Sequence, residues 1–299
     1  MKILLLGKDG QIGWELQRAL APLGEVVALD FDSPGPLSAD FSRPESLAAT
    51  VRAVAPQVIV NAAAHTAVDR AESEPDLARA VNAVAPGILA REAAELGAWL
   101  VHYSTDYVFD GGGTVAWAED SPTGPLNVYG QTKLEGEQAV RRSGCRHLMF
   151  RTSWVYGARG GNFARTMLKL ASERDELTVI DDQIGSPTGA DLLADVSAHA
   201  VRTALARPDV AGTYHAVAAG ETSWFGYARH VIEFARDAGA TVKVAPDAIR
   251  PVASSAFPTP ARRPGNSRMN TAKLRGTFSL VLPRWQSGVD RMLTEVLGR

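Results

Sequence analysis

The sequence predicts an α/β chain built on a doubly wound parallel sheet, with a smaller lobe toward its C-terminal end. Two observations predict it. Short leucine-rich or β-branched runs alternate with alanine-rich stretches of helical period, and each such stretch has a Gly or Pro near its end. Strand, helix, strand at this spacing implies parallel strands joined by crossover helices on both faces.

Taken in order, the strand candidates are KILLLG (2–7), EVVALD (25–30), QVIVNAAA (57–64), AWLVHYST (98–105) and RHLMFRTSWVYG (146–157). Between them IGWELQRALAPLG, PESLAATVRAVAP, AVNAVAPGILAREAAELG and KLEGEQAVRRSG carry apolar residues at helical spacing. The second half is less regular. FARTMLKLASER (163–174) and ADLLADVSAHAVRTALARP (190–208) read as helices, and GTYHAVA (212–218) reads as a further strand. TSWFGYARHVIEFARDAG is a helix closed by Gly239, and a long Pro-, Ser- and Arg-rich loop (250–270) precedes a final amphipathic stretch. Ordered loops of that length are usually functional. The division is therefore 1–157 and 158–299, the second part completing the sheet and forming the lobe mainly over 220–299.

The bulk properties narrow the function. At 299 residues, 45% apolar, 21% charged and a formal net charge of -2, the chain has an ordinary globular composition. It has no basic block to follow a nucleic acid backbone, which argues against a polynucleotide partner. A single cysteine, Cys145, excludes an internal disulfide and a thiolate zinc cluster, and reads as a packing residue. The opening MKILLLGKDG has too short an apolar run for a secretion signal, and no stretch approaches the ~20 apolar residues of a membrane span. A cytoplasmic protein is expected.

GKDGQIG places Gly7, Gly10 and Gly13 directly after the first strand, where a helix opens. A tight turn, close backbone approach and a helix N-terminus suit a pyrophosphate. The G-x-x-G-x-x-G spacing is a variant of the dinucleotide pattern, and a glycine triplet alone is weak evidence. Asp30 ends the second strand, where a carboxylate would hold an adenosine ribose; its plainer reading is a solvated loop acid. An acid there favours NADH, although Ser33 and the DSPGP loop leave room for the phosphate of NADPH. Asp40 and Phe41 offer a polar edge and a flat face for the adenine. NAAAHT (61–66) ends the third strand in small residues, among them Ala63 and Ala64, over which a cofactor can lie. His65 has no second histidine at ligand spacing and reads as a loop residue near the cofactor.

YSTDYVF (103–109) ends the fourth strand and projects Thr105 and Asp106 at the sheet edge. YGQTK then sets Tyr129 and Lys133 at i and i+4, on one face of a helix. An aromatic ring packed on a lysine stem would account for the pair. So would chemistry, because a nearby cation favours phenolate and lowers a phenol pKa near ~10. A threonine hydroxyl donating to a carbonyl oxygen while Tyr129 supplies the proton makes a reduction site. Arginines in TPARRPGNSR (259–268), Arg263 foremost, suit either bidentate contacts to the phosphates of a substrate's nucleotide portion or the ordering of the lobe, with a solvated loop as the plainer reading.

These features together resemble the extended short-chain dehydrogenase/reductase family, whose catalytic trio is Ser or Thr, Tyr and Lys. The resemblance spans essentially the whole chain and is most specific in VIVNAAAHTAVDRAESEP, VHYSTDYVFDG, PLNVYGQTKLEGE, FRTSWVYG and AFPTPARRPGNSRMNT. It implies a Rossmann-like NAD(P)-binding domain and an NAD(P)H-dependent reduction of a keto group on a nucleotide sugar. By the same resemblance Tyr129 is the general acid, Lys133 its pKa-lowering partner that also holds the nicotinamide ribose, and Thr105 the hydroxyl partner. Gly10, Gln11 and Ile12 correspond to the pyrophosphate turn, and Asp30, Asp40 and Phe41 to adenosine contacts. Ala64, His65, Thr66 and Tyr103 correspond to cofactor-lining residues, and Thr105, Asp106 and Trp154 to residues at the sugar, although Trp154 would also serve as plain core. The resemblance further implies a magnesium-dependent homodimer, with Asp191 and Glu295 as the candidate acids for Mg2+. Two other readings share these motifs: a nucleotide-sugar epimerase or dehydratase, and a non-catalytic regulatory subunit with this fold.

Overall fold

The structure, a computed structural model, describes residues 1–298. Six parallel strands form the main sheet: β1 (Lys2–Leu6), β2 (Glu25–Leu29), β3 (Val58–Asn61), β4 (Trp99–Thr105), β5 (Arg146–Thr152) and β6 (Gly212–His215). Their order is β6-β5-β4-β3-β1-β2. The principal helices are α1 (Gln11–Leu20), α2 (Glu45–Val54), α3 (Ala85–Leu96), α4 (Val128–Arg142), α5 (Phe163–Glu173), α6 (Ala190–Ala206), α7 (Trp224–Asp237) and α8 (Trp285–Leu297).

Alternation along β1 shows why both faces must be covered. Ile3 and Leu5 enter one core with Leu16 and Leu20 of α1 and Leu193 of α6. Leu4 and Leu6 enter the other with Leu47 of α2, Leu89 of α3 and Val140 of α4. All four β1 side chains are fully buried, each worth roughly 1.5–3 kcal/mol relative to exposure. Because β2 and β3 flank β1, the crossovers diverge there and leave a crevice at the carboxyl ends of the strands.

The expected helix before β4 is longer and less regular than its period suggests. Pro75–Arg79 runs into α3 through a π-helical segment, Ala80–Val84. Within it Asn82 accepts the His65 backbone N–H at 2.9 Å and donates to the His65 carbonyl at 3.1 Å and to Thr132 at 3.2 Å. A Cβ at Gly136 would collide with the Asn82 carbonyl, so α4 lies directly against this segment.

The lobe has its own core, built from α5, α7 and α8, with Tyr227 and Trp285 buried in it and Phe163 and Trp224 packed against it. It also draws in Leu177–Ile180, which pairs in parallel with Ile249–Val252. Residues 163–180 thus lie with the lobe, while α6 and β6 complete the sheet layer. The expected single strand 146–157 is broken. β5 ends at Thr152, Trp154 takes a left-handed φ of 49°, and Val155–Tyr156 pairs instead with Thr188–Gly189. No helix among the described residues is long and apolar enough to cross a membrane.

Candidate active site

A cleft of about 540 Å³ opens at the carboxyl ends of β1, β3, β4 and β5. Its floor is the glycine turn. Gly7 has φ 87°, a region costly for side chains, and a Cβ there would stand 2.6 Å from the Ala63 nitrogen. A Cβ on Gly13 would overlap the Gly7 carbonyl, so that glycine lets α1 seat on the turn. Gly10 starts α1 in an extended conformation and no side chain caps the helix. Its first N–H groups, beside the cleft-lining Gly10, Gln11 and Ile12, are donors for an anion.

Asp30 stands at the mouth of this cleft. Its carboxylate accepts the Asp9 N–H at 3.0 Å and the Phe31 N–H at 2.8 Å, while its own N–H donates to Ser33 Oγ at 2.7 Å. Ala63, Ala64 and Thr66 also line the cleft. The uncapped helix end, the glycine cradle and an acid lining the same cleft fit a dinucleotide.

Three cofactor candidates, Asp40, Phe41 and His65, are not among the residues that line this cleft. Phe41 is 5% exposed and packs in the core with Leu47 and Val51, so its ring is not a free face over the cleft. Asp40 is engaged locally by Ser42 at 2.5 Å and Arg43 at 2.9 Å, and these bonds, the Ser42 hydroxyl foremost, hold its pKa below the ordinary value. His65 turns its ring toward Glu74, at 3.6 Å, and does not line the cleft. Burial decides the first case: Phe41 is the large apolar side chain available to close that edge of the core.

Thr105 and Asp106 close β4, with Tyr129 in the first turn of α4 beside them. Asn127 caps that helix by accepting the Gly130 N–H at 2.8 Å, and donates to the Arg262 carbonyl at 2.8 Å. A Cβ on Gly130 would overlap the Tyr107 carbonyl. The glycine inside YGQTK therefore allows the close packing that brings the phenol to the strand end.

Burial pushes the Tyr129 phenol up to about 12, Asp106 adds to this, and the Thr105 hydroxyl acts in the opposite direction. Lys133 is 2% exposed and donates to the Tyr103 carbonyl at 2.6 Å. Burial brings its pKa down to about 8, against the pull of Glu137. Desolvation thus dominates the resting phenol, and the Lys133 ammonium is directed to the Tyr103 backbone carbonyl. The outcome still suits a reduction, because a phenol at about 12 holds its proton at neutral pH. Asp106 is pushed up to about 6 by burial, against hydrogen bonds from Ser267 and from Thr105, whose hydroxyl lies at 3.0 Å. Tyr103 lines the cleft but spends its hydroxyl on Ser197, at 2.6 Å.

Trp154 lines the cleft and stacks on Trp224, ring centroids 3.7 Å apart and planes 15° from parallel. Sequence reasoning missed Trp224, since a tryptophan opening an amphipathic helix carries no local signal of a site. Together with Tyr107 it forms the wall shared with a second cavity of about 650 Å³, lined also by Phe163, Phe257 and Arg262. Arg263 faces this second cavity, not the cleft, and is clamped bidentately to Asp69 at 3.0 and 2.7 Å. That clamp ties the 250–270 loop to the segment after β3.

The Asp191 carboxylate accepts the Leu192 N–H at 2.9 Å and pairs with Arg291, and Glu295 is exposed on α8. Among the described residues no group of three or more His, Cys, Asp or Glu could hold a metal ion.

Comparison with known proteins shows the family and the fold. The family model described as the RmlD substrate binding domain matches residues 1–297. The dTDP-4-dehydrorhamnose reductase of Escherichia coli K12 is 58% identical over 296 residues, covering 99% of this chain and 98% of that one. The crystal structure of a dTDP-4-dehydrorhamnose reductase from Clostridium acetobutylicum ATCC 824 superposes with a TM-score of 0.88 at 34% identity, covering 100% of both chains. That of the Bacillus anthracis Ames enzyme in complex with NADP gives 0.86 at 34% identity, covering 98% of this chain and 99% of that one. With its glycine turn, its Thr105, Tyr129 and Lys133, and this likeness along nearly its full length, the chain belongs to the dTDP-4-dehydrorhamnose reductase family, within the extended short-chain dehydrogenase/reductases.

Proposed function

We propose that the chain reduces the 4-keto group of dTDP-4-dehydro-β-L-rhamnose to dTDP-β-L-rhamnose with NADH or NADPH, the last step of dTDP-L-rhamnose synthesis. The observation that carries this reading is a half-buried, protonated Tyr129 beside Thr105 and Lys133, where a dinucleotide cleft meets a second cavity. When bound, the reduced nicotinamide supplies the hydride for C4. Tyr129 then gives its proton to the carbonyl oxygen as negative charge grows there, and the Thr105 hydroxyl donates a second hydrogen bond. Lys133 favours the phenolate left behind and reaches the nicotinamide ribose. Asp106 and Trp154 border the sugar. The second cavity, with the flat faces of Phe257 and Tyr107 and the guanidinium of Arg262, suits the nucleotide portion. Arg263 serves there by bracing the loop through Asp69. A cytoplasmic homodimer is the setting that the family resemblance supports.

Purified protein given this keto sugar nucleotide and each reduced coenzyme in turn is expected to oxidise coenzyme mole for mole with sugar. Absence of net oxidation with both coenzymes would contradict the proposal.

Asp30 bears on the choice of coenzyme. D30A is expected to raise the Michaelis constant for NADH by about tenfold, the scale of a lost hydrogen bond to a charged group, with a smaller effect on NADPH. Equal losses for both coenzymes would remove the carboxylate from the ribose.

A further inference from the structure

One turn beyond Lys133, on the same face of α4, lies a second charged side chain that the reaction does not use. Glu137 is fully buried. Its Oε1 accepts from Ser104 Oγ at 2.6 Å and Arg151 Nε at 2.8 Å. Its Oε2 accepts from an Arg151 Nη at 2.8 Å and an Arg141 Nη at 2.6 Å. Ser104 and Arg151 are direct partners in the register of β4 and β5. Ser104 precedes Thr105, and Arg151 leads through Thr152 and Ser153 to Trp154. One carboxylate therefore fastens the helix bearing Tyr129 and Lys133 to the strand bearing Thr105 and to the strand leading to the sugar side.

Stability does not explain the pair. Two charges taken out of water lose hydration that their attraction only roughly repays, and an apolar pair of similar shape commonly does as well. An apolar pair could not place a fixed negative charge next to Lys133. Burial works to protonate Glu137, but Arg151, Ser104 and Arg141 prevail and keep it ionised, below the ordinary pKa. On its own helix Lys133 faces Glu137 and Tyr129, and on β4 it faces His102, which burial holds neutral. On β6, near Arg151, His215 is also neutral, brought down to about 3 by burial. Glu137 is the negative charge in this set.

Building on the reductase reading, we propose that Glu137 is a positioning residue for the reduction. It holds Lys133 as an ammonium and sets the spacing between α4 and the Thr105 end of β4. Removing its charge lets Lys133 lose its proton at lower pH. An activity that needs the ammonium then falls earlier as pH rises.

The test is E137Q, read in three ways: NMR titration of the Lys133 side chain without coenzyme, the pH profile of kcat/KM, and NADH affinity across the same pH range. The expected result is a Lys133 midpoint lowered by about one unit or more, the effect of one nearby opposite charge. The alkaline limb of kcat/KM and the alkaline loss of NADH affinity should move with it, and turnover should recover toward wild type at lower pH. E137Q leaves the Arg151 charge buried alone, so the double variant E137Q/R151M, with both charges gone, is measured beside it and should shift the midpoint in the same direction by less, because the lost Arg151 cation opposes the lost carboxylate. E137D, which keeps the charge on a shorter arm, should keep the midpoint. An unshifted Lys133 midpoint in folded E137Q or in the double variant would overturn the proposal, as would a double variant that does not fold. Lack of turnover by the wild-type protein would instead sink the reductase reading, with the Lys133 midpoint still reporting on Glu137.

Discussion

Tyr129→Phe should leave the protein folded and able to bind coenzyme while lowering turnover by at least ~10²-fold, the range for a lost general acid. The substitution removes one oxygen and no packing surface. The Tyr129 ring stands edge-on to Tyr107 with centroids 5.4 Å apart, and Phe preserves that contact. What is lost is a proton held, by desolvation, on a phenol pushed up to about 12 and set beside the Thr105 hydroxyl. Steady-state turnover and fluorescence titration with NADH separate the two effects. Near-normal turnover would make Tyr129 an ordinary packed aromatic.

Lys133→Met should lose both turnover and coenzyme affinity, because the ammonium carries two tasks. Its stem is buried and its Nζ bonds the Tyr103 carbonyl, so Met replaces the stem and abolishes the charge. NADH affinity is expected to fall about tenfold or more, as for hydrogen bonds to a charged group. Turnover at saturating coenzyme should also fall by tenfold or more, since the phenolate is then formed without a neighbouring cation. The fold should tolerate the change. Glu137 keeps its Ser104, Arg141 and Arg151 donors, and the desolvation cost of the ammonium disappears. Unchanged NADH affinity in K133M would detach the lysine from the nicotinamide side of the cleft.

Much of this site was legible because its signals are local. The glycine turn follows a buried apolar strand and opens a helix, and the i, i+4 spacing of Tyr129 and Lys133 fixes their shared face in any helix. Small residues at 62–64 marked the place where backbone meets ligand. What escaped depends on contacts between distant segments. Phe41 looked like a flat face for a base, yet the hydrophobic effect draws it into the core. Trp154 reads as a sugar-side residue near the end of a strand, but nothing local foretells the left-handed backbone that turns the chain toward Thr188 and stacks its ring on Trp224. No pattern near residue 263 announces that its guanidinium will clamp Asp69, nor near 137 that four donors will converge on one buried carboxylate. The lobe boundary was blurred for the same reason. Its core is assembled from α5, α7 and α8, and one of its strands pairs with a partner far along the chain.

The central claim is a net reduction at C4 driven by this constellation, and an isotope label tests it most directly. The purified protein is supplied with the keto sugar nucleotide and coenzyme deuterated at the reactive nicotinamide carbon, and the sugar product is read by NMR and mass spectrometry. The account predicts one deuterium at C4 of the product, an equal amount of oxidised coenzyme released, and the loss of both in Y129F. A sugar altered at another carbon, or converted with no net release of oxidised coenzyme, would contradict it and point to an epimerase or dehydratase instead.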